Sequence, residues 1–171
     1  MCIMASLEHF RQQNNHRLSF ELFGFDVILS INGDVYILEA NSSPELDLNS
    51  ELDNSIKVPL VKDMLNLALI PQPSEKVDFI EEKMQNREDE QFCAAVCISE
   101  YEIAQRQCGR FRCIYPTVDR IIKLQKYMNC KEPEDLALEQ WISYSREEQA
   151  AYISVLYEHF DHVLENANLK I

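Results

Sequence analysis

Three oxygen-bearing side chains in the stretch "FGFDVILSINGDVYILEAN", residues 23–41, have the types and spacing for cation chemistry: Asp26, Glu39 and Asn41. Two carboxylates with a neutral amide oxygen make a hard donor set. Mg2+ in particular takes one or two carboxylates together with the phosphate oxygens of a substrate. Whether the three can meet depends on the backbone between them.

That backbone reads as a β-hairpin. Two apolar-rich alternating runs flank Asn32-Gly33, the strongest short-range hairpin signal, because both central positions of a type I′ turn need positive φ. A two-residue turn there pairs Ile31 with Asp34, Leu29 with Tyr36 and Ile28 with Ile37, and further out it sets Asp26 opposite Glu39. The two-residue period of a strand then puts Asn41 on the side of Glu39. A bulge would shift this register by one. The other face, Phe23, Phe25, Val27, Leu29, Tyr36, Leu38 and Ala40, is expected to be core. The acid face carries Ile28 and Ile37 and is expected to be at least half buried. Like charges directly opposed across a strand pair are destabilising. Half-buried, they must share a proton, pair with a base or bind a cation. The alternative is a pair of ordinary acids facing solvent at a strand end.

The flanking sequence supplies mostly helices. Residues 3–14 have Ile3, Leu7 and Phe10 at helical spacing. The Ser/Asn/Asp-rich run "SSPELDLNSELD" reads as a loop. Asp53 is expected to cap a helix from Ser55 to Leu69, with Pro59 tolerated near its first turns. A single helical stretch is expected from Glu75 to Cys108, stopped by Gly109. "RFRCIYPT" suggests a short lone strand. Helices are expected at 117–128, 133–143 and 146–167, the last opened by a Ser145/Glu148 capping box. The chain is expected to split near residue 71.

The formal net charge of −13 argues against nonspecific binding to nucleic acid or to anionic membranes. Charge is not uniform, however. Between Ala104 and Lys131 seven basic residues (Arg106, Arg110, Arg112, Arg120, Lys123, Lys126, Lys131) face one acid, Asp119. Such an island could meet an acidic partner, or simply be a solvated helix face. The N-terminus has no signal-peptide pattern, and no run approaches the roughly 18 apolar residues of a membrane helix. The six cysteines contain no CxxC pair and read as reduced thiols of an intracellular chain. His159 and His162 lie three apart on a helix and read as surface or interface residues rather than ligands. Cys93 and Cys97 read as core, and Trp141, Tyr144, Tyr152 and Tyr157 as packing residues.

"FELFGFDVIL", "VYILEANSSPEL" and "LDNSIKVPLVKDMLNLALI" together resemble the closing segment of the tubulin tyrosine ligase-like enzymes, ATP-grasp ligases that join an amino acid to tubulin tails. "GRFRCIYPT" resembles the segment that follows the ATP-grasp region in many members. The likeness is dense over about residues 20–70 and thins to about 118. It implies an α+β fold: residues 1–70 as the C-terminal part of an ATP-grasp fold, an antiparallel β-hairpin with packed helices, followed by a mostly helical extension, 71–171. It also implies that Asp26, Glu39 and Asn41 coordinate Mg2+ bridging the phosphates of ATP. A carboxylate would become an acyl-phosphate, attacked by the amine of a free amino acid, most like glutamate as in the polyglutamylases. The family's upstream motifs, with the lysines that hold nucleotide, are not in these 171 residues. The chain is therefore expected to supply the metal-binding half of a site and to bind nucleotide weakly or not at all alone. The implied setting is cytoplasmic, on microtubules or cilia. The other function class is a non-catalytic module that binds tubulin through Arg106, Arg110, Arg112, Arg120, Lys123 and Lys126.

Overall fold

The computed structural model describes residues 20–128 and 131–169, which form two compact units, one ending at Lys62 and the other starting at Asp63. The helix expected over 3–14, and Cys2 and Cys130, lie outside the described residues. The described chain is α+β: one two-stranded antiparallel sheet and six α-helices.

In the first unit β1 (Gly24–Leu29) pairs with β2 (Val35–Asn41). A loop from Ser42 leads to α1 (Glu51–Leu67). Ser50 rather than Asp53 opens that helix: its Oγ accepts the Asp53 N–H at 3.1 Å and donates to Asp53 Oδ2 at 2.7 Å. The Ser50 hydroxyl and the Lys57 ammonium hold the Asp53 carboxyl below the usual aspartate range. Lys57 Nζ lies 2.9 Å from Asp53 Oδ1 and donates to Asp47 O at 2.8 Å, tying the loop to the helix. The helix starts four residues earlier than expected, so Pro59 falls at its ninth residue rather than near the first turns. There it forfeits one rung of the hydrogen-bond ladder without ending the helix.

Both faces of the hairpin are open among the described residues. Phe25, Val27, Leu29, Tyr36 and Leu38, expected to be core, are 41–66% exposed, and Ile28 and Ile37 on the expected half-buried face are 52% and 61% exposed. The alternation does mark two strands, but a two-stranded sheet has no second layer of its own to cover either face.

The second unit is helical: α2 (Glu75–Asn86), α3 (Glu90–Gln107), α4 (Val118–Leu124) with a 3-10 turn over Gln125–Tyr127, α5 (Pro133–Ser143) and α6 (Arg146–Asn166). The stretch expected to be one helix from Glu75 to Cys108 is two. Arg87 takes a left-handed conformation (φ 52°) and donates its N–H to Lys83 O at 3.0 Å, and Asp89 then caps α3 by accepting the Phe92 N–H at 3.0 Å. Three polar residues, Arg87, Glu88 and Asp89, thus turn the chain where periodicity alone runs on. Gly109 (φ 55°) follows the end of α3 as expected. The strand expected in "RFRCIYPT" does not form. Phe111 N–H turns back to Cys108 O at 2.8 Å and Tyr101 Oη donates to Pro116 O at 3.2 Å, while no described strand lies alongside to pair with it.

The helices pack around α3. Ala94, Ala95 and Ile98 meet Trp141 and Ile142 of α5 and Leu156 of α6, and the small side chains at 94 and 95 let the neighbours approach. A second cluster joins Met84, Phe92, Cys93 and Val96, with Phe79 edge-on to Phe92 and Phe160 stacked on it at 4.9 Å between ring centroids. The α5–α6 corner is locked twice. Trp141 Nε1 donates to Gln149 O at 3.1 Å and Gln149 Nε2 donates to Trp141 O at 3.0 Å, and Ser145 and Glu148 form the expected capping box. Trp141, Tyr152 and Tyr157 belong to or pack on this core, and Tyr144 packs edge-on against Tyr152, as expected.

Candidate metal site on the hairpin

The structure sets Asp26 opposite Glu39 and Gly24 opposite Asn41. The pairing is the one expected, but it is reached by a different route. Asn32 is not at positive φ; only Gly33 is, at 83°. Ser30 N–H donates to Asp34 O at 2.9 Å and Gly33 N–H to Ser30 O at 3.0 Å, so the loop has three residues, with glycine in the left-handed position. That loop shifts the inner pairs by one, to Leu29–Val35, Ile28–Tyr36 and Val27–Ile37. A β-bulge between Asp26 and Val27, with Leu38 as the extra residue on β2, shifts them back. The two irregularities cancel beyond Val27, and the acids meet.

The bulge also re-sorts the faces. Residues opposite each other share a side, so Tyr36 moves to the side of Ile28 and Asp26, and Ile37 moves to the side of Val27. Tyr36 and Phe25 are thus on opposite sides, and both are exposed.

Asn41 lies on the side of Glu39, and its Nδ2 donates to Glu39 Oε1 at 3.1 Å. Asp26, Glu39 and Asn41 are all exposed. Exposure removes one expectation: water screens the two charges, so burial does not force a proton, a base or a cation onto them. The geometry remains. Two carboxylates face each other across the open end of the hairpin, and neither forms an ion pair among the described residues. An amide is already hydrogen-bonded to one of them. These donors fit a hard cation such as Mg2+, which accepts two protein carboxylates and completes its shell from water or phosphate. No group of three or more His, Cys, Asp or Glu residues suited to a metal occurs among the described residues.

The other singled-out residues are placed as follows. Arg106, Arg110, Arg112, Arg120, Lys123 and Lys126 are exposed, and of these only Arg106 is ion-paired among the described residues, 3.8 Å from Glu102. Lys131 leaves the island: its Nζ lies 2.6 Å from Glu139 Oε2 with both side chains 11% exposed, and Tyr115 Oη donates to the same carboxylate. Cys93 is buried in the core, and Cys93, Cys97, Cys108 and Cys113 are thiols outside any disulfide. His162 bonds to Asn166. His159 has an acidic partner that sequence spacing missed, because Asp89 lies 70 residues away: Nε2 is 2.8 Å from Asp89 Oδ2. Burial pushes the Asp89 carboxyl up, but the Phe92 N–H and the His159 ring outweigh it and hold the carboxyl below its usual range. This is a capping interaction between α6 and the start of α3 rather than a ligand pair.

Residues 2–78 match the model of the tubulin-tyrosine ligase family. Among curated relatives, it is 54% identical over 48 residues to "Tubulin monoglutamylase TTLL4" of Mus musculus, covering 28% of this chain and 4% of that protein. It is 48% identical over 56 residues to "Tubulin polyglutamylase ttll-4" of Caenorhabditis briggsae, covering 33% of this chain and 9% of that protein. A longer likeness, 31% identity over 121 residues, links it to "Tubulin polyglutamylase TTLL6" of Homo sapiens, covering 61% of this chain and 14% of that protein. The chain thus spans a small part of the length of each of these relatives. No solved structure matches it significantly. Among the described residues no helix is long and apolar enough to cross a membrane.

Proposed function

We propose that the hairpin and α1 are the metal-binding part of an ATP- and Mg2+-dependent ligase of ATP-grasp type, which joins an amino acid, glutamate, to tubulin tails. The observation that carries this reading is the cross-strand pair Asp26–Glu39 with Asn41 bonded to Glu39, lying inside the segment that matches the family. The names of the relatives, tubulin glutamylases, supply the acceptor and the donor.

Asp26 and Glu39 would hold the cation from opposite strands, and the Asn41 carbonyl oxygen would add a neutral donor beside Glu39. When bound, Mg2+ neutralises the charge of the ATP phosphates and orients them for transfer. The chain's own contribution is placement. The Leu38 bulge sets the two carboxylates face to face, and the Asn41 amide fixes the Glu39 rotamer. A chimera tests the function. The 48-residue stretch of the mouse monoglutamylase that matches this chain is exchanged for the stretch found here, and transfer of labelled glutamate to tubulin is measured. Retained transfer is expected, whereas a chimera that folds and binds ATP but transfers nothing would refute the proposal.

A second reading, tubulin binding without catalysis, is favoured by the exposed bases Arg110, Arg112, Arg120, Lys123 and Lys126, none of them ion-paired among the described residues. They would face the acidic tail of tubulin. Because exposed charges are screened within about 8–10 Å at moderate salt, co-sedimentation of the chain with microtubules should weaken as salt is raised from roughly 50 to 200 mM. Salt-independent pelleting would remove the basic island from the interaction.

A further inference from the structure

The loop that follows Asn41 is pinned to the strand opposite it through one close approach. Position 24 is opposite Asn41, and a Cβ built on Gly24 would lie 2.9 Å from Pro44 Cβ, closer than real Cβ atoms come. Gly24 does not have the positive φ that reserves a position for glycine, so space and not backbone conformation keeps a side chain out. Pro44 is half buried, while every other residue from Ile31 to Leu52 is exposed. Its ring therefore rests on the glycine surface. Only Ser42 and Ser43 separate Pro44 from Asn41, its φ is fixed and its ring cannot swing away as a flexible side chain could. Any displacement of Pro44 is transmitted along Ser43 and Ser42 to Asn41, and through the 3.1 Å Asn41–Glu39 bond to the carboxylate.

We infer that Gly24 and Pro44 form a positioning clamp for the metal-binding end of the hairpin, setting where Asn41 and Glu39 stand relative to Asp26. Neither residue touches the cation. The inference rests on the metal reading given above and adds two residues to it. Residues that hold metal ligands in place without touching the ion typically alter metal affinity by about 10–100-fold when removed.

The test uses the 171-residue chain, with Mn2+ as the probe and free Mn2+ read by electron paramagnetic resonance. Hydrogen exchange over residues 39–45 and far-UV melting of the helices are followed in parallel. Glu39→Gln defines the site by removing specific Mn2+ binding. Gly24→Ala should weaken Mn2+ binding about tenfold and speed exchange over 39–45, with the helices melting as in the unaltered chain. Pro44→Gly alone, which takes the ring out of the clamp, should weaken Mn2+ binding to a similar extent, and in the double variant the two losses should not add, because both act through one contact. With a bystander glycine the losses would add in full. Unchanged Mn2+ binding in Gly24→Ala, or losses that simply add in the double variant, would overturn the clamp while leaving the metal site standing. If Glu39→Gln leaves Mn2+ binding untouched, the metal site itself is wrong and the clamp falls with it.

Discussion

Glu39→Gln, placed in the chimera described above, should abolish glutamate transfer while leaving the hairpin at least as stable as before. Glutamine keeps the length and an amide oxygen at position 39, and it can still bond to Asn41, so little packing changes. What disappears is one of two carboxylates, the dominant attraction for a divalent cation in this donor set. Removing it also relieves the like-charge opposition to Asp26, a term of a few tenths of a kcal/mol to about 1 kcal/mol across a strand pair. The expected signature is therefore lost transfer and lost Mn2+ binding together with unchanged or slightly raised stability. Asp26→Asn should behave the same way from the opposite strand. Full transfer by either variant would show that the pair does not carry the metal. Lost transfer accompanied by an unfolded hairpin, seen as rapid hydrogen exchange across both strands, would instead show a structural role.

The largest stability effect is expected in the helical unit, from Phe92→Ala. Phe92 is fully buried at the third position after the Asp89 cap, stacked on Phe160 and met edge-on by Phe79. Truncating a buried phenylalanine costs about 3–5 kcal/mol, the transfer free energy of the ring plus the cavity left behind. Whole domains are stable by only about 5–15 kcal/mol, so the variant should lose much of its thermal transition as followed by helical circular dichroism. Val155→Ala on α6, a site 61% exposed, serves as the control and should melt close to the unaltered chain. If the two variants melt alike, Phe92 is not at the centre of the packing described.

The candidate site was legible in sequence because its parts are local. Asn32-Gly33 announces a reversal, the alternation on either side announces strands, and the spacing of Asp26, Glu39 and Asn41 follows from both. The route was not legible. A two-residue turn and a three-residue turn with a bulge give the same pairing at Asp26–Glu39, and they differ only in φ at Asn32 and in the extra residue at Leu38. Nothing in the side-chain pattern distinguishes them, since Tyr36, Ile37 and Leu38 are all good strand formers. The same ambiguity broke the forecast of one helix from Glu75 to Cys108. Its periodicity continues past residues 87–89, and the corner depends on Arg87 taking φ 52° and on ion pairs from Arg87 to Glu132 (2.6 Å) and Glu134 (3.5 Å), partners some 45 residues away.

By itself the sequence determined the local events: where helices begin when a serine and a glutamate make a capping box, where the hairpin reverses, and which three oxygen-bearing side chains reach its open end. These depend on hydrogen bonds and steric limits within a few residues. Only the tertiary structure decided the face to which each strand residue turns, the exposure of both hairpin faces, the partnership of His159 with Asp89, the withdrawal of Lys131 from the basic island and the close seat of Pro44 on Gly24. Those outcomes depend on which distant atoms arrive at a given surface. Amphipathic pattern states that a face could be covered, and only the fold states what, if anything, covers it.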